Sequence, residues 1–253
     1  MNSGLVVSDI MTEDVVYFGE EDESDLAKFC KIRSIDYLPL REGFKVMRFD
    51  GNGFSEKEIS TDMILSPNEN IFDEIIIECF LENSGVKFVT SGGKVVGVVH
   101  FSDYNSKEVY TELYSVFHEV EQNLRRILEQ EEMLEKELGN ENINPNNQAL
   151  PLSTSGFRKL IEKVDSKEEI SLNFKQDEEI DGKYQIVVLR NRVMHSKEMV
   201  LMQDGSKDKL NFSKKSFERF IERLEEAYNV KKDLDEKVDR IPEHIVLDYI
   251  RRN

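Results

Sequence analysis

Tryptophan is absent from this 253-residue chain, cysteine occurs twice, histidine four times and proline five times. Each scarcity removes a class of protein. Two cysteines, Cys30 and Cys79, are too few for a disulfide scaffold. Both fall in apolar patterns of helical period, without a Cys or His neighbour at metal-ligand spacing, so they are expected as reduced core residues. The histidines, His100, His118, His195 and His244, form neither His-x-x-x-His nor Glu-x-x-His pairs, which directs any chemistry away from zinc. No run approaches the ~20 apolar residues of a membrane span. The opening "MNSGLVVSDIMTEDV" has neither a basic stretch nor the apolar centre of a leader peptide, so a cytoplasmic protein without membrane contact is expected.

Positive charge is also scarce. The net charge of −17 argues against a general affinity for nucleic acid, which Lys and Arg drive. Its distribution weakens that objection. Between Lys183 and Lys215 the sign reverses, with eight basic residues against three acidic, and a local positive field in a repelling protein still attracts an anionic substrate. What the chain does have is apolar and charged residues in helical proportions, 39% and 34%, enough for two modest cores.

An internal repeat occupies the first hundred residues. Laid over residues 83–103 at an offset of 51, residues 32–52, "IRSIDYLPLREGFKVMRFDGN", match "NSGVKFVTSGGKVVGVVHFSD" in apolar pattern, with Ile35 on Val86, Tyr37 on Phe88, Leu38 on Val89 and Met47 on Val98. Each copy predicts helix, strand, turn, strand. The helices are "ESDLAKFCKIR" and "NIFDEIIIECFLEN", and "SGGK" is a hairpin turn. Similar entry segments, "VSDIMTEDVVYF" and "STDMILSPNENI", precede the two copies.

The segment "GKVVGVVHFSDY", Gly93 to Tyr104, resembles the closing strand and helix start of a CBS domain, and the tandem copies resemble the paired CBS module over nearly all of residues 1–107. The resemblance implies an α+β domain of tandem βαβ repeats that binds an adenine nucleotide, with Asp103 holding the ribose hydroxyls. A carboxylate accepts two such hydrogen bonds beside a helix N-terminus that tolerates phosphate. His100 stands where the family has Thr or Ser, and the first copy has Val46 and Asn52 in place of the Gly and Asp. One nucleotide site per chain, at Asp103 and His100, is the expectation. The alternative is a dimerisation scaffold in which Asp103 is only a helix cap.

From Ser106 the period becomes helical. Tyr110, Leu113, Tyr114, Phe117, Val120, Leu124, Ile127, Leu128, Leu134 and Leu138 recur at three and four spacing, with no Gly or Pro before Gly139. A proline- and asparagine-rich loop ends this helix. "GFRKLIEKV" is a second helix, a less regular stretch leads to a third from about Lys183, and "NFSKKSFERFIERLEEAYNVKKDLDEKV" is a long one capped by Ser213. Residues 108–253 therefore predict an all-α bundle of four or five helices.

Within that bundle, "RNRVMH" sets Arg190 and Asn191 five and four places ahead of His195. Together with the first helix "FHEVEQNLRRIL", this resembles the HEPN superfamily over residues 108 to about 240. Its helical domains carry Arg-(Asn/His/Asp)-x-x-x-His, and many are metal-independent ribonucleases. The resemblance implies Arg190 and His195 as the catalytic pair, Asn191 as the accompanying polar residue, and a homodimer. The residue types suit the chemistry. When a ribose 2′-OH attacks the adjacent phosphate, a group titrating near neutrality must move a proton while a permanent cation stabilises the phosphorane. Positions five apart on a helix differ by about 140°, so Arg190 must reach around it or the pair must come from two chains. Glu121 and Arg125, four apart, are expected as an ion pair within one helix, and His118 as a surface residue.

The sequence thus predicts a homodimeric, metal-free endoribonuclease acting on RNA, governed by a nucleotide bound to the CBS-like pair. By analogy of domain combination it suggests a toxin or defence effector. The competing expectation is a non-catalytic sensor or adaptor whose bundle binds a partner.

Overall fold

Apolar residues at three and four spacing make the helices of the N-terminal region, and β-branched residues make its strands. The computed structural model describes residues 3–33, 35–82, 86–137, 156–167, 170, 172–201 and 213–239. The expected Pro/Asn-rich loop up to Ser155, Leu138, Lys207, Lys209 and His244 lie outside the described residues, and so does the side chain of Leu134. The chain divides into two units, Met1–Glu112 with Ser196–Ile221, and Leu113–His195 with Glu222–Asn253.

In the first unit, α1 (Val7–Ile10) and α2 (Glu23–Arg33) precede an antiparallel sheet of β1 (Tyr37–Pro39), β2 (Lys45–Phe49) and β3 (Phe54–Glu58). After a 3-10 turn at Thr61–Met63 come β4 (Ile64–Leu65), α3 (Glu74–Glu82), β5 (Lys87–Ser91) and β6 (Lys94–Val99). The second sheet has the order β4-β5-β6, with β4 parallel and β6 antiparallel to β5. Both repeats thus hold a helix and a hairpin. Strand β3, "FSEKE", is an addition the sequence did not signal, because its charged residues have no apolar alternation. The two hairpins also differ in register, Leu38 facing Met47 in the first and Phe88 facing Val98 in the second.

Turn chemistry explains the second hairpin. Gly92 and Gly93 have φ of 58° and 77°, the left-handed pair that a two-residue turn requires and that L-residues with a Cβ resist. Gly97 answers a different need. A Cβ there would lie 2.6 Å from Met11 Sδ and 3.2 Å from the Thr12 carbonyl oxygen, because Thr12 exchanges two backbone hydrogen bonds with Val98, at 2.9 and 3.0 Å. The segment leading into the first repeat is therefore completed by the last strand of the second. Strand β2 serves two cores. Phe49 packs with Leu26, Cys30 and Leu38, whereas Val46 packs with Ile59, Phe88 and Val95. Both cysteines are unpaired. Cys30 is buried, which pushes its thiol up to about 11.

A 3-10 helix, Phe101–Asn105, closes the second repeat. Its Tyr104 is fully buried against Phe72, Phe80, Phe217 and Phe220 and donates its hydroxyl to the Ile71 carbonyl. The last two rings belong to the start of α7 (Lys214–Asp239), whose N-cap is Ser213, with Oγ accepting from Ser216 N–H at 3.2 Å.

The second unit is helical. It comprises α4 (Lys107–Glu137) from Leu113 onward, α5 (Phe157–Asp165), α6 (Gln185–Met194) and α7 from Glu222 onward. On α4 the stripe Leu113, Val116, Phe117, Val120, Leu124, Ile127 and Leu128 is buried. Tyr114 is not part of it. It is 56% exposed, since the position after Leu113 rotates about 100° away from the stripe. On α5, Phe157, Leu160, Ile161 and Val164 give the i, i+3, i+4, i+7 face of an amphipathic helix. The architecture is thus an N-terminal α+β region with two small sheets, followed by a helical C-terminal region. No described helix is long and apolar enough to cross a membrane.

Candidate active site

Helix α6 carries the motif. Its first five residues, Gln185 to Leu189, are all buried, and the helix becomes accessible only from Arg190 onward. The chain entering it is held by charge. Arg223 of α7 donates from Nε to Asp177 Oδ2 at 2.7 Å and from Nη2 to Asp177 Oδ1 at 3.1 Å, and Nη2 also lies 3.1 Å from Glu179 Oε2. Asp177 Oδ1 accepts from the backbone N–H groups of Glu179 and Ile180 as well. Three residues further along α7, Glu226 accepts from Lys175 N–H at 2.8 Å, and burial raises its carboxyl above the usual range. Tyr184, the N-cap of α6, donates to Asp165 Oδ2 at the end of α5 at 2.7 Å.

Arg190 is 25% exposed. Its Cζ sits 5.5 Å from the centre of the Phe157 ring, a cation–π arrangement. Nη2 lies 3.5 Å from Glu121 Oε2 and Nη1 is 3.4 Å from Asn191 Oδ1, while Nε is buried with no hydrogen-bond partner among the described residues. Glu121 Oε1 meanwhile binds Arg125 Nη2 at 2.7 Å. One carboxylate therefore faces two guanidinium groups.

Asn191 and His195 are exposed. His195 is the C-cap of α6, with φ −107° and ψ 13°, and its backbone N–H bonds the Asn191 carbonyl at 3.2 Å. The next residue, Ser196, has φ 47° and is the only described non-glycine residue in the left-handed region. The angular separation expected between Arg190 and His195 presumes regular helix up to His195, and the backbone has already left it there. Arg190 and Asn191 are brought together. Among the described residues, no hydrogen bond or ion pair joins the His195 imidazole to either. His118 is an exposed residue of α4 whose Nε2 lies 2.8 Å from Gln122 Nε2.

In the first unit, His100 and Asp103 do meet. Asp103 Oδ2 accepts from His100 N–H at 2.8 Å and closes the cap of the 3-10 helix. Burial pushes its carboxyl up to about 6, an effect that the same hydrogen bond partly offsets. His100 Nδ1 is 2.8 Å from Ser102 Oγ, and its ring stacks 4.1 Å from that of Phe101. Among the described residues, no three His, Cys, Asp or Glu side chains converge as a metal site.

Two members of the Arg190 cluster escape sequence reasoning. Phe157 reads only as a core residue of an amphipathic helix, and Glu121 signals Arg125 by its spacing but gives no sign of Arg190. No known family matches the chain, and neither a curated protein nor a solved structure does.

Proposed function

We propose that the helical unit is a metal-independent endoribonuclease of the HEPN kind, acting as a homodimer, with Arg190, Asn191 and His195 at its centre. The observation that carries this reading is the Arg190 guanidinium. It is held over Phe157 and beside Glu121, stays partly accessible, and lies on a helix whose exposed C-terminal turn presents Asn191 and His195. In the proposed reaction the 2′-oxygen attacks the adjacent phosphorus and the bond to the 5′-oxygen breaks. The products are a cyclic phosphate and a 5′-hydroxyl. His195 takes the 2′-OH proton, and in a composite site His195 of the second copy returns a proton to the leaving oxygen. Arg190 stabilises the charge that develops on the phosphorane, and Asn191 orients its guanidinium. The N-terminal unit is proposed as a CBS-like pair with an adenine nucleotide as regulatory ligand at His100 and Asp103, and the biological setting as a toxin or defence effector.

A second reading, a non-catalytic sensor or adaptor, is favoured by two observations. The Glu121 carboxylate partly neutralises Arg190, and the overall charge of −17 repels RNA. Incubating the purified protein with RNA in EDTA separates the two. Replacing an exposed histidine leaves stability within about 0.5 kcal/mol, so His195→Ala should lower cleavage by roughly 10²- to 10⁴-fold with an unchanged melting temperature. Equal cleavage by wild type and His195→Ala, or none by either, overturns the ribonuclease.

A further inference from the structure

The Arg190 guanidinium is poorly matched by the protein around it. Such a group carries five N–H donors, and an acceptor that satisfies a charged donor sits about 2.7–2.9 Å away. Among the described residues the acceptors of Arg190 are Asn191 Oδ1 at 3.4 Å and Glu121 Oε2 at 3.5 Å, and its Nε is buried with none. Stacking on Phe157 takes one face of the cation out of water without supplying a hydrogen bond. Glu121 is held far more firmly by another residue. Its Oε1 lies 2.7 Å from Arg125 Nη2, four residues further along α4, in the carboxylate-first order that a helix favours. The Glu121, Arg125 and Arg190 side chains are 25%, 22% and 25% exposed, so the cluster is shielded but open to a ligand. Glu121, Arg125, Phe157, Arg190 and Asn191 all belong to the second unit.

We propose that Arg190 anchors a binding site for a phosphate group, in which Glu121 is the resident counter-ion that sets the affinity and Arg125 is the positioning residue that holds Glu121. A phosphate arriving at Arg190 exchanges a 3.5 Å contact with a carboxylate for the short two-point bonds that a planar guanidinium makes to a pair of oxygens. Glu121 loses little in the exchange, because its bond to Arg125 is untouched. Without Arg125, the same carboxylate is free to turn fully onto Arg190 and compete with the ligand. Arg125 therefore acts through Glu121, keeping it beside Arg190 rather than on it. The ligand chemistry is a phosphate oxyanion, supplied either by the phosphodiester backbone of a nucleic acid or by the terminal phosphate of a nucleotide. The inference rests on the ribonuclease reading for its bearing on RNA cleavage, but not for the binding itself.

The test titrates the full, isotopically labelled chain with sodium phosphate, at an ionic strength held constant with chloride, and follows the arginine Nε–H resonances. Arg190→Lys keeps the charge and assigns the Arg190 signal by its loss. In wild type that signal should shift and saturate. Glu121→Gln should tighten phosphate binding by about threefold to tenfold, whereas Glu119→Gln, which removes the same charge from the same helix at a carboxylate paired with Lys231, should change it by less than about twofold. Arg125→Gln should weaken binding by about fivefold in the wild-type background but by less than about twofold in Glu121→Gln, because a residue that acts through Glu121 then has nothing to hold. Two further probes separate the sources. A DNA tetranucleotide, which has phosphodiesters but no 2′-OH, moves the Arg190 signal if the site takes a nucleic-acid backbone, and adenosine monophosphate alone moves it if the site takes a terminal phosphate. An Arg190 signal that ignores all three probes overturns the proposal, and so do equal effects of Glu121→Gln and Glu119→Gln. Should Glu121→Gln not fold, the wild-type titration decides the site and Arg125→Gln the role of Glu121, unchanged binding in the latter overturning it. RNA left uncut while Arg190 binds phosphate ends the ribonuclease reading alone, and RNA cut while phosphate leaves Arg190 unmoved ends this inference alone.

Discussion

Replacing Asp177 with Ala should be among the most damaging single changes to the helical unit. The Asp177 and Arg223 side chains are 2% and 6% exposed, so their two-point pairing is shielded from solvent and salt. Deleting the carboxylate leaves a buried guanidinium, a loss of about 3–5 kcal/mol for pairs of this kind. It also removes the acceptor of the Glu179 and Ile180 N–H groups. Glu179, with a side chain 36% exposed, stays 3.1 Å from Arg223 Nη2 and retains part of the attraction. The expected loss is therefore at the lower end, roughly 3 kcal/mol, or about 6–12 °C in melting temperature at 2–4 °C per kcal/mol. With no tryptophan in the chain, far-ultraviolet circular dichroism against urea is the suitable assay, and the midpoint should fall without a change in slope. Asp177→Leu combined with Arg223→Met removes both charges and should be more stable than Asp177→Ala, with a remaining deficit from the Glu179 and Ile180 N–H groups that lose their acceptor. A loss below about 1 kcal/mol in Asp177→Ala would refute the view that the pair is desolvated and holds the approach to α6.

Asp103→Asn keeps an acceptor for His100 N–H while removing a titrating group. Because burial raises the folded-state value of Asp103 from 3.8 to about 6, the folded protein binds more protons than the unfolded one between those values, and stability falls as pH rises through that window. The Asn variant should flatten that slope and gain on the order of 2–3 kcal/mol at pH 7. An unchanged slope in urea titrations from pH 4 to 7 would show that Asp103 is solvated. Gly97→Ala places its methyl against Met11 and the Thr12 carbonyl and should cost about 1–2 kcal/mol, measured by the urea midpoint. A neutral effect would mean that the Thr12–Val98 pairing opens freely.

The legible parts of the chain are those whose signal is local. Gly92 and Gly93 announce the hairpin because only glycine enters both turn positions cheaply. Ser213 marks a helix start, and Glu121 with Arg125 an ion pair, through spacings of three and four. The repeat is visible because each copy must bury one helix against one hairpin. What stays hidden depends on partners distant in sequence. Asp177 and Arg223, 46 residues apart, look like two more solvated charges in a chain that is 34% charged. Strand β3 is hidden because an edge strand facing water needs no apolar alternation. For the motif, spacing locates the residues but not their surroundings. Nothing in "RNRVMH" indicates that Arg190 rests on Phe157 or that the helix ends at His195.

The first unit draws on Ser196–Ile221, and through it on Phe217 and Phe220, which enclose Tyr104. On the ribosome, the repeats emerge first but cannot bury Tyr104 against those rings until the chain has been made past residue 220. Through most of synthesis Tyr104 lacks two of the rings that enclose it. The completion of this unit coincides with the arrival of α7, which from Glu222 onward belongs to the other unit and supplies Arg223 and Glu226 there. One helix, made late, closes both cores, so neither unit can be truncated, transplanted or inherited as a simple contiguous cassette.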